Sequence, residues 1–334
     1  MNISRLKSKS FLWPTALWLA FVLVMLLLFK TGPTKYDSLM RTLIQWDGRL
    51  YLSIARDGYE MFPCDYDPTY ICGNVGWFPM YPLLGRIIGW SGLDHRLALL
   101  GLSWLLLWLA MLVLYRIVAD KWNHRTAVLT LVCMLLFPGS FYFLTAFPYA
   151  LFLALAVLAL YLLETKRFGL LAIPCGLLAV TYPSGVVIAL PILWVLISSF
   201  KKLAPKERLS LIGALAAIGL TLLLYCLYYW WRFDDFFLYL RIQSQSYYAH
   251  QASFPLWTIG RSLVELPLTS PVSLMLLFSI ITTALFFTRK LPGSWQVLMF
   301  DLLLFTPTLG TTDCYYRHIV VAFPLFVMVA LAAQ

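Results

Sequence analysis

The sequence is a succession of long apolar runs, and this pattern limits the chain to folds in which most segments lie in lipid or in protein. A helix needs about 20 apolar residues to cross a bilayer, or fewer where the membrane is thin. Ten candidate spans satisfy or approach this requirement: 11–30, 97–116, 126–145, 147–163, 168–181, 184–200, 209–231, 271–288, 294–310 and 318–334. Because 61% of the 334 residues are hydrophobic and the mean hydropathy is +0.81, we predict an all-α polytopic membrane protein, one domain over 1–334.

Basic residues lie in small clusters between these runs, and their positions predict the orientation of the chain. The clusters are Arg5, Lys7 and Lys9; Arg116, Lys121 and Arg125; Lys166 and Arg167; Lys201, Lys202, Lys206 and Arg208; and Arg289 and Lys290. They occupy every second connection, so the positive-inside rule places both termini in the cytoplasm. Two large extracytoplasmic loops, 31–96 and 232–270, follow from this topology. Orientation also explains the net charge of +10, so nucleic acid is not an expected partner.

Residues 168–200 leave the topology open. Two short apolar halves are interrupted by Pro174, Pro183, Gly185 and Pro191. A pair of full spans and a re-entrant broken pair would both return the chain to the same side.

The first large loop contains the stretch from Ser38 to Leu84, where a functional site is most expected. Apolar residues recur there at helical spacing, while Arg41, Gln45, Arg49 and Arg56 fall on the opposite face. Asp47 lies within the apolar stripe, where its carboxylate would be pressed against protein or membrane. The pattern therefore predicts interfacial helices with one acid that either serves in proton transfer or pairs with Arg49 or another base.

Both large loops are rich in aromatic side chains, which commonly anchor helices at the membrane interface. The second loop also brings Asp234, Asp235, Arg241, Gln243 and His250 to the side of the membrane predicted for Asp47. One placed acid with several cations on a membrane face is what a transferase acting on an anionic lipid requires.

Cys64 and Cys72 lie eight residues apart in the first loop, where a disulfide can persist, although Cys314 is a further thiol predicted on that side. Asp65 and Asp67 could form a hard-cation site with Glu60, but loop acids are more often solvated. We therefore expect neither a cofactor nor a metal.

Two segments of the first loop resemble a known family. They read WDGRLYLSIARDGY from Trp46 to Tyr59 and WFPMYPLL from Trp77 to Leu84. Their sequence and spacing resemble the first outward loop of the PIG-V family, which comprises GPI mannosyltransferase II and its bacterial relatives. Weaker similarities extend over 147–163, 176–191 and 316–324.

The resemblance implies an inverting glycosyltransferase of the GT-C class, with a GT-C-like helix bundle. Such enzymes take a sugar, usually mannose, from a polyprenyl-phosphate or dolichyl-phosphate carrier, and the acceptor is a glycan or glycolipid. The presumed catalytic acid of the family corresponds to Asp47, which would act as general base. Candidates to contact the substrates are Trp46, Arg49, Tyr51, Tyr81, Arg241, Gln243, Arg317 and His318, of which Arg241, Arg317 and His318 are expected to hold the phosphate; Arg317 could instead pair with Asp313.

The sequence differs from the family pattern at two places. Pro148, Tyr149 and Ala150 stand where relatives often carry an acid, and Tyr182 stands where they often carry a base. A binding protein without turnover is therefore one alternative, and a transporter is another, with Asp301 as its first candidate residue. Loops with little additional sequence favour a bacterial inner membrane as the location of the protein, with the endoplasmic reticulum as the alternative.

Overall fold

The computed structural model of the protein describes residues 3–32, 38–245, 250–285, 291–313 and 315–334, with side chains described from Ser10 onward. The first half holds α1 (Ile3–Thr31), α2 (Leu39–Leu43), α3 (Asp47–Asp57), strands β1 (Met61–Cys64) and β2 (Asp67–Gly73), α4 (Met80–Gly89), α5 (His95–Lys121), α6 (His124–Leu136) and α7 (Tyr149–Glu164). The second half holds α8 (Ala172–Ala179), α9 (Ala189–Ser198), α10 (Pro205–Phe233), α11 (Leu238–Gln243), α12 (Pro255–Glu265), α13 (Pro271–Leu285), α14 (Gly293–Thr308), α15 (Tyr315–Ile319) and α16 (Phe323–Ala332).

The protein is a mainly helical membrane protein, but the predicted count of ten spans is not confirmed. Within the described residues, three helices are long and apolar enough to cross a bilayer: α1 from Ser10, α5 and α10. A fourth span is possible if α6 and the 3₁₀ helix Pro138–Leu144, bent by 87°, cross together. Each predicted span contains helical structure within its described residues, yet a ten-residue helix such as α16 is only about 15 Å long. Several helices are therefore apolar enough for a membrane but too short to cross one.

Helix α5 is the centre of the bundle. Asp94 accepts a hydrogen bond from the Arg96 N–H and caps its first turn. One face of α5 is fully buried against α4 and α7, with Leu99, Leu107 and Leu114 inaccessible to solvent. The chain before α5 is thus fixed to the same rigid core as the helices that follow it.

The helical periodicity at the start of the first loop is interrupted in the structure. It is divided into α2 and α3, because the backbone turns sharply at Trp46, whose φ is 49° and ψ is −128°. The turn puts Asp47 in the first turn of α3, where free N–H groups and the helix dipole favour a carboxylate.

A short antiparallel hairpin, β1 with β2, stands between α3 and α4 and was not predicted. The structure joins Cys64 to Cys72 by a disulfide across it, while Cys314 lies outside the described residues. Gly73 closes the hairpin with a φ of 116°, and a Cβ there would lie 2.2 Å from the Glu60 carbonyl oxygen. The amide of Gln245 binds both the N–H and the carbonyl of Ile71, so the hairpin is held against the segment that follows α11.

The helices have two chemically distinct ends. One, called here the Asp47 end, gathers the start of α3, the start of α7, the break after α8 and α15. At the opposite end, Lys121 binds Glu164 and Glu164 accepts hydrogen bonds from Ser294 and Trp295. The basic clusters between α5 and α10 lie at that opposite end: Arg116, Lys121, Arg125, Lys166, Arg167, Lys201, Lys202, Lys206 and Arg208.

Residues 168–200 form short pieces rather than two regular spans. Helix α8 ends at Ala179, a 3₁₀ helix covers Pro183–Ile188, and α9 follows. A Cβ on Gly185 would lie 1.9 Å from the Leu178 carbonyl oxygen, so only glycine allows this close return onto α8. The break delivers Tyr182 to the Asp47 end.

Candidate functional site

A cavity of about 570 Å³ opens at the Asp47 end. Segments far apart in sequence form it: the start of α3, the turn before α4, the break after α8, α11, the end of α14, and α15. Its lining is aromatic and polar, with Trp46, Asp47, Leu50, Tyr51, Gly76, Trp77, Phe78, Tyr182, Pro183, Tyr239, Gln243, His250, Phe305, Thr306, Leu309, Thr311, Asp313, Arg317 and His318. Aromatic faces with scattered hydrogen-bonding groups suit a polar organic ligand.

An ion pair between Asp47 and Arg317 lies in this lining. The Arg317 Nη1 donates to the Asp47 Oδ2 over 3.0 Å, although 270 residues separate them in sequence. Both side chains are largely buried, with 27% of Asp47 and 19% of Arg317 exposed. The acid therefore pairs with a base, as one of the two sequence interpretations expected, but with Arg317 rather than Arg49.

The start of α3 is fixed tightly beneath that ion pair. The Ala146 N–H donates to the Leu43 carbonyl over 3.1 Å, and a Cβ on Gly48 would lie 3.3 Å from the Ala146 carbonyl oxygen. Tyr51, one turn further on, is 2% exposed and packs edge-on against Tyr81 at 5.6 Å. The Asp47 backbone is consequently held by packing on α4 and on the segment before α7.

Gly76, Trp77 and Phe78 form one wall of the cavity, and side chains hold each carbonyl group of the segment 75–77. Tyr229 donates to the Val75 carbonyl and Gln243 Nε2 donates to the Gly76 carbonyl, over 2.6 and 3.1 Å. The Trp77 carbonyl accepts from Tyr59 over 2.6 Å and from Tyr225 over 3.4 Å. A wall with its backbone groups satisfied in this way is preorganised before any ligand arrives.

A chain of hydrogen bonds approaches the cavity from the other side. The hydroxyl of Tyr149 lies 3.1 Å from that of Tyr182, which lies 3.0 Å from Nδ1 of His318. Tyr149 and Tyr182 belong to the two segments in which the sequence differs from the PIG-V pattern. The two segments therefore contact each other, and their tyrosines place two hydrogen-bonded hydroxyl groups beside the cavity.

The two histidines in the lining are disfavoured as cations. Burial lowers the pKa of His318 well below its ordinary value of 6.5, and the neighbouring Arg317 and His250 lower it further. Burial also lowers the pKa of His250, with Asp313 opposing that shift. Both shifts favour the uncharged form of the imidazole, in which one ring nitrogen donates and the other accepts a hydrogen bond.

Three of the predicted site residues do not line the cavity. Arg49 donates to Gln45 on the exposed face of the α3 start. Tyr81 is buried in the core, where its hydroxyl bonds the Leu99 carbonyl and Ser103. Arg241 pairs with Asp235 and is 59% exposed. The structure brings together the other six: Trp46, Asp47, Tyr51, Gln243, Arg317 and His318.

Sequence reasoning did not place Tyr182, Tyr239, Thr306 or Asp313 at the site. Tyr182 was noted only as a departure from a family pattern. A usable signal was present, because a tyrosine at a Pro and Gly break within an apolar run must satisfy its hydroxyl near that break.

No group of three or more acidic, histidine or cysteine side chains that could hold a metal is found in the described part of the chain. Of the loop acids considered for a cation, Asp67 accepts hydrogen bonds from the N–H and hydroxyl of Thr69. It thus stabilises the hairpin turn.

Comparison with known proteins leaves the identity of the chain open. No known family matches the sequence, and no match is found among curated proteins.

Proposed function

We propose that the chain is an integral membrane glycosyltransferase that uses a polyprenyl-phosphate sugar as donor. The sequence resemblance implies mannose as the sugar, a glycan or glycolipid as acceptor, and inversion at the anomeric carbon. The observation that carries the proposal is the Asp47 and Arg317 pair in the wall of an aromatic cavity. A carboxylate and a guanidinium in contact supply the base and the anion-binding group that this transfer requires.

In the proposed reaction, an acceptor hydroxyl oxygen attacks the anomeric carbon of the donor sugar. The new bond forms as the bond from that carbon to the phosphate oxygen breaks, and the bonding electrons leave with the phosphate. Asp47 takes the hydroxyl proton, while Arg317 stabilises the charge that develops on the leaving phosphate. A phosphate needs no proton donor to leave, so one base and one cation are sufficient.

The ion pair itself gives the order of events. While Arg317 donates to the Asp47 Oδ2, that oxygen is occupied and is less accessible to the acceptor hydroxyl. A donor phosphate competes for the guanidinium and releases the carboxylate as it binds. The base is thus activated only when the donor is present, which would limit wasteful hydrolysis of the donor.

The test is donor turnover by purified protein in detergent, with radiolabelled polyprenyl-phosphate mannose. We expect Asp47→Asn to lose roughly 10²–10⁴-fold in transfer or slow hydrolysis, the usual contribution of a general base. Asp57→Asn is the matched control, because Asp57 ends the same helix in an exposed pair with Arg56. Near wild-type turnover by a folded Asp47→Asn protein would reject the assignment.

A transporter is the second candidate, favoured by Asp301 of α14. Its Oδ2 is buried and has no hydrogen-bond partner among the described residues. Acids of this kind in membrane helices often serve ion coupling. The same assay separates the candidates: absence of both donor turnover and donor binding favours transport, while binding without turnover favours a non-catalytic lipid-sugar binder. The membrane proposed is the bacterial inner membrane, with the endoplasmic reticulum as the alternative.

A further inference from the structure

The structure has a second cavity, of about 430 Å³, which is called here the side groove. The last turn of α3, residues 79–86 at the start of α4 and one face of α10 form most of it. Apolar side chains make up much of its lining: Ile54, Pro79, Leu83, Val180 and Leu224. Its volume lies in the range of small-ligand cavities, so the groove has room for part of a ligand.

The side groove and the cavity at the Asp47 end are neighbours, because three segments line both. In each segment the two side chains are at most three positions apart. The pairs, with the residue of the Asp47 end first, are Tyr51 and Ile54, Phe78 and Pro79, and Tyr182 and Val180. On α3, Asp47 and Ile54 are separated by seven residues, or about 10 Å along the helix axis. One ligand can therefore reach from one cavity into the other.

The polar side chains of the side groove are engaged with backbone carbonyl groups. Tyr59 and Tyr225 bind the Trp77 carbonyl. Thr221 lies over 3.0 Å from carbonyl oxygens of α8 and α10, to which its hydroxyl donates. Arg86 donates to two carbonyls in the last turns of α3, each over 2.8 Å. The groove thus offers a ligand mainly hydrocarbon and aromatic surface, which suits an apolar chain.

The mouth of the side groove opens where α10 would meet the bilayer. Helix α10 is long and apolar enough to cross a membrane, and Leu83 and Leu224 at the groove are 45% and 55% exposed. Exposed leucines beside a spanning helix contact lipid chains. Leu224 lies nine residues, or about 14 Å, before α10 ends at Phe233, next to α11 at the Asp47 end. The groove therefore extends from the cavity toward the bilayer interior.

We infer that the two cavities bind one amphiphilic lipid, with its sugar phosphate at the Asp47 end and the first isoprene units of its apolar chain in the side groove. The polarity of each cavity matches the part of the lipid that it holds, and the segment 77–79 lies at the junction. This inference rests on the proposed function for the identity of the lipid, a polyprenyl-phosphate sugar. It adds a chain-binding surface away from the reacting atoms.

The first experiment is photocrosslinking of the wild-type protein with undecaprenyl phosphate that carries a diazirine in its second isoprene unit. The experiment requires binding but no turnover. We expect label in the peptides of α4 and α10 that contain Leu83 and Leu224, and loss of this label when undecaprenyl phosphate without the diazirine is added in excess. Label elsewhere on the bundle would overturn the inference. Equal label of the groove by a diazirine phospholipid, undisplaced by undecaprenyl phosphate, would also overturn it and assign the groove to bilayer lipid.

The second experiment measures binding of undecaprenyl phosphate and of undecaprenol, the uncharged comparison. Leu224→Trp and Leu83→Trp fill the groove from exposed positions and should weaken binding of both compounds about tenfold, because both compounds have the chain. Arg317→Gln should weaken binding of the phosphate alone. Leu223→Trp is the matched control, since Leu223 is 46% exposed on α10 and lies outside the lining of the groove.

Wild-type affinity of Leu224→Trp and Leu83→Trp for both compounds would overturn the inference and leave the proposed function intact. Unchanged phosphate binding by Arg317→Gln, with both tryptophan variants weakened, would instead reject the role of Arg317 in the proposed function and retain the groove. Wild-type protein that binds neither compound would reject both.

Discussion

At the scale of single residues, Trp46 adopts a backbone conformation that its side chain disfavours. Its φ of 49° and ψ of −128° are a combination that glycine adopts far more easily than tryptophan. The indole is 63% exposed and lines the cavity beside Asp47. Strain of this kind costs about 1–3 kcal/mol, and it persists where the surroundings impose it.

We therefore predict opposite effects of Trp46→Gly on stability and activity. Glycine relieves the backbone strain and should stabilise the fold by roughly 1 kcal/mol relative to Trp46→Ala, which removes the same ring without that relief. Both variants should raise the KM for donor, because both lose the aromatic face. Thermal unfolding and donor kinetics of the pair decide the matter, and equal melting temperatures would show that the turn is unstrained.

The residue scale also shows what a sequence can and cannot reveal about this site. Asp47, Arg317 and His318 are identifiable because polar groups among apolar runs are costly and so indicate a role. Their contacts are not, because the pairing depends on how α15 docks on α3, 270 residues away. Tyr81 shows that a motif can also mislead. It belongs to the segment WFPMYPLL and was expected to contact substrate, yet its hydroxyl bonds Ser103 within the core.

At the scale of elements, apolar periodicity predicted where helices lie but not how they end. The region 38–57 becomes two helices because the turn at Trp46 interrupts the pattern, and 168–200 becomes short pieces because of its prolines and Gly185. Hydropathy reports burial in lipid or in protein alike, so the short α16 was indistinguishable from a span. The hairpin was missed because its strands are short and lie within a loop.

We expect the hairpin of β1 and β2 to open locally, without unfolding of the helix bundle. Replacing both Cys64 and Cys72 by serine removes a cross-link over eight residues, which the chain-entropy estimate values at roughly 2.5 kcal/mol. We expect faster amide exchange at Ile71, whose N–H is bonded to Gln245, with the bundle little affected.

Hydrogen exchange by mass spectrometry measures this effect peptide by peptide. Cys226→Ser is the control, because Cys226 is a free, half-buried thiol in α10. Gln245→Ala should reproduce the loosening with the disulfide intact. Unchanged exchange in the hairpin of both variants would mean that neither tether maintains it.

At the scale of the whole molecule, the basic clusters and the cavity lie at opposite ends of the helices. The basic clusters between α5 and α10 lie away from the cavity, while the cavity and hairpin share the Asp47 end. By the positive-inside rule this arrangement predicts that the cavity faces the extracytoplasmic side. A lipid-linked sugar presented on that face would reach Asp47 without crossing the protein.

Cysteine labelling tests this orientation directly. In a background with Cys133, Cys175, Cys226 and Cys314 replaced, we expect Ser91→Cys to react with a membrane-impermeant maleimide in intact cells. Lys202→Cys should react only after permeabilisation. Both positions are exposed, so access rather than burial determines the outcome. The reverse pattern would put the cavity in the cytoplasm, where nucleotide sugars are the natural donors, and the polyprenyl-phosphate proposal would lose its physical basis even if Asp47 proved essential.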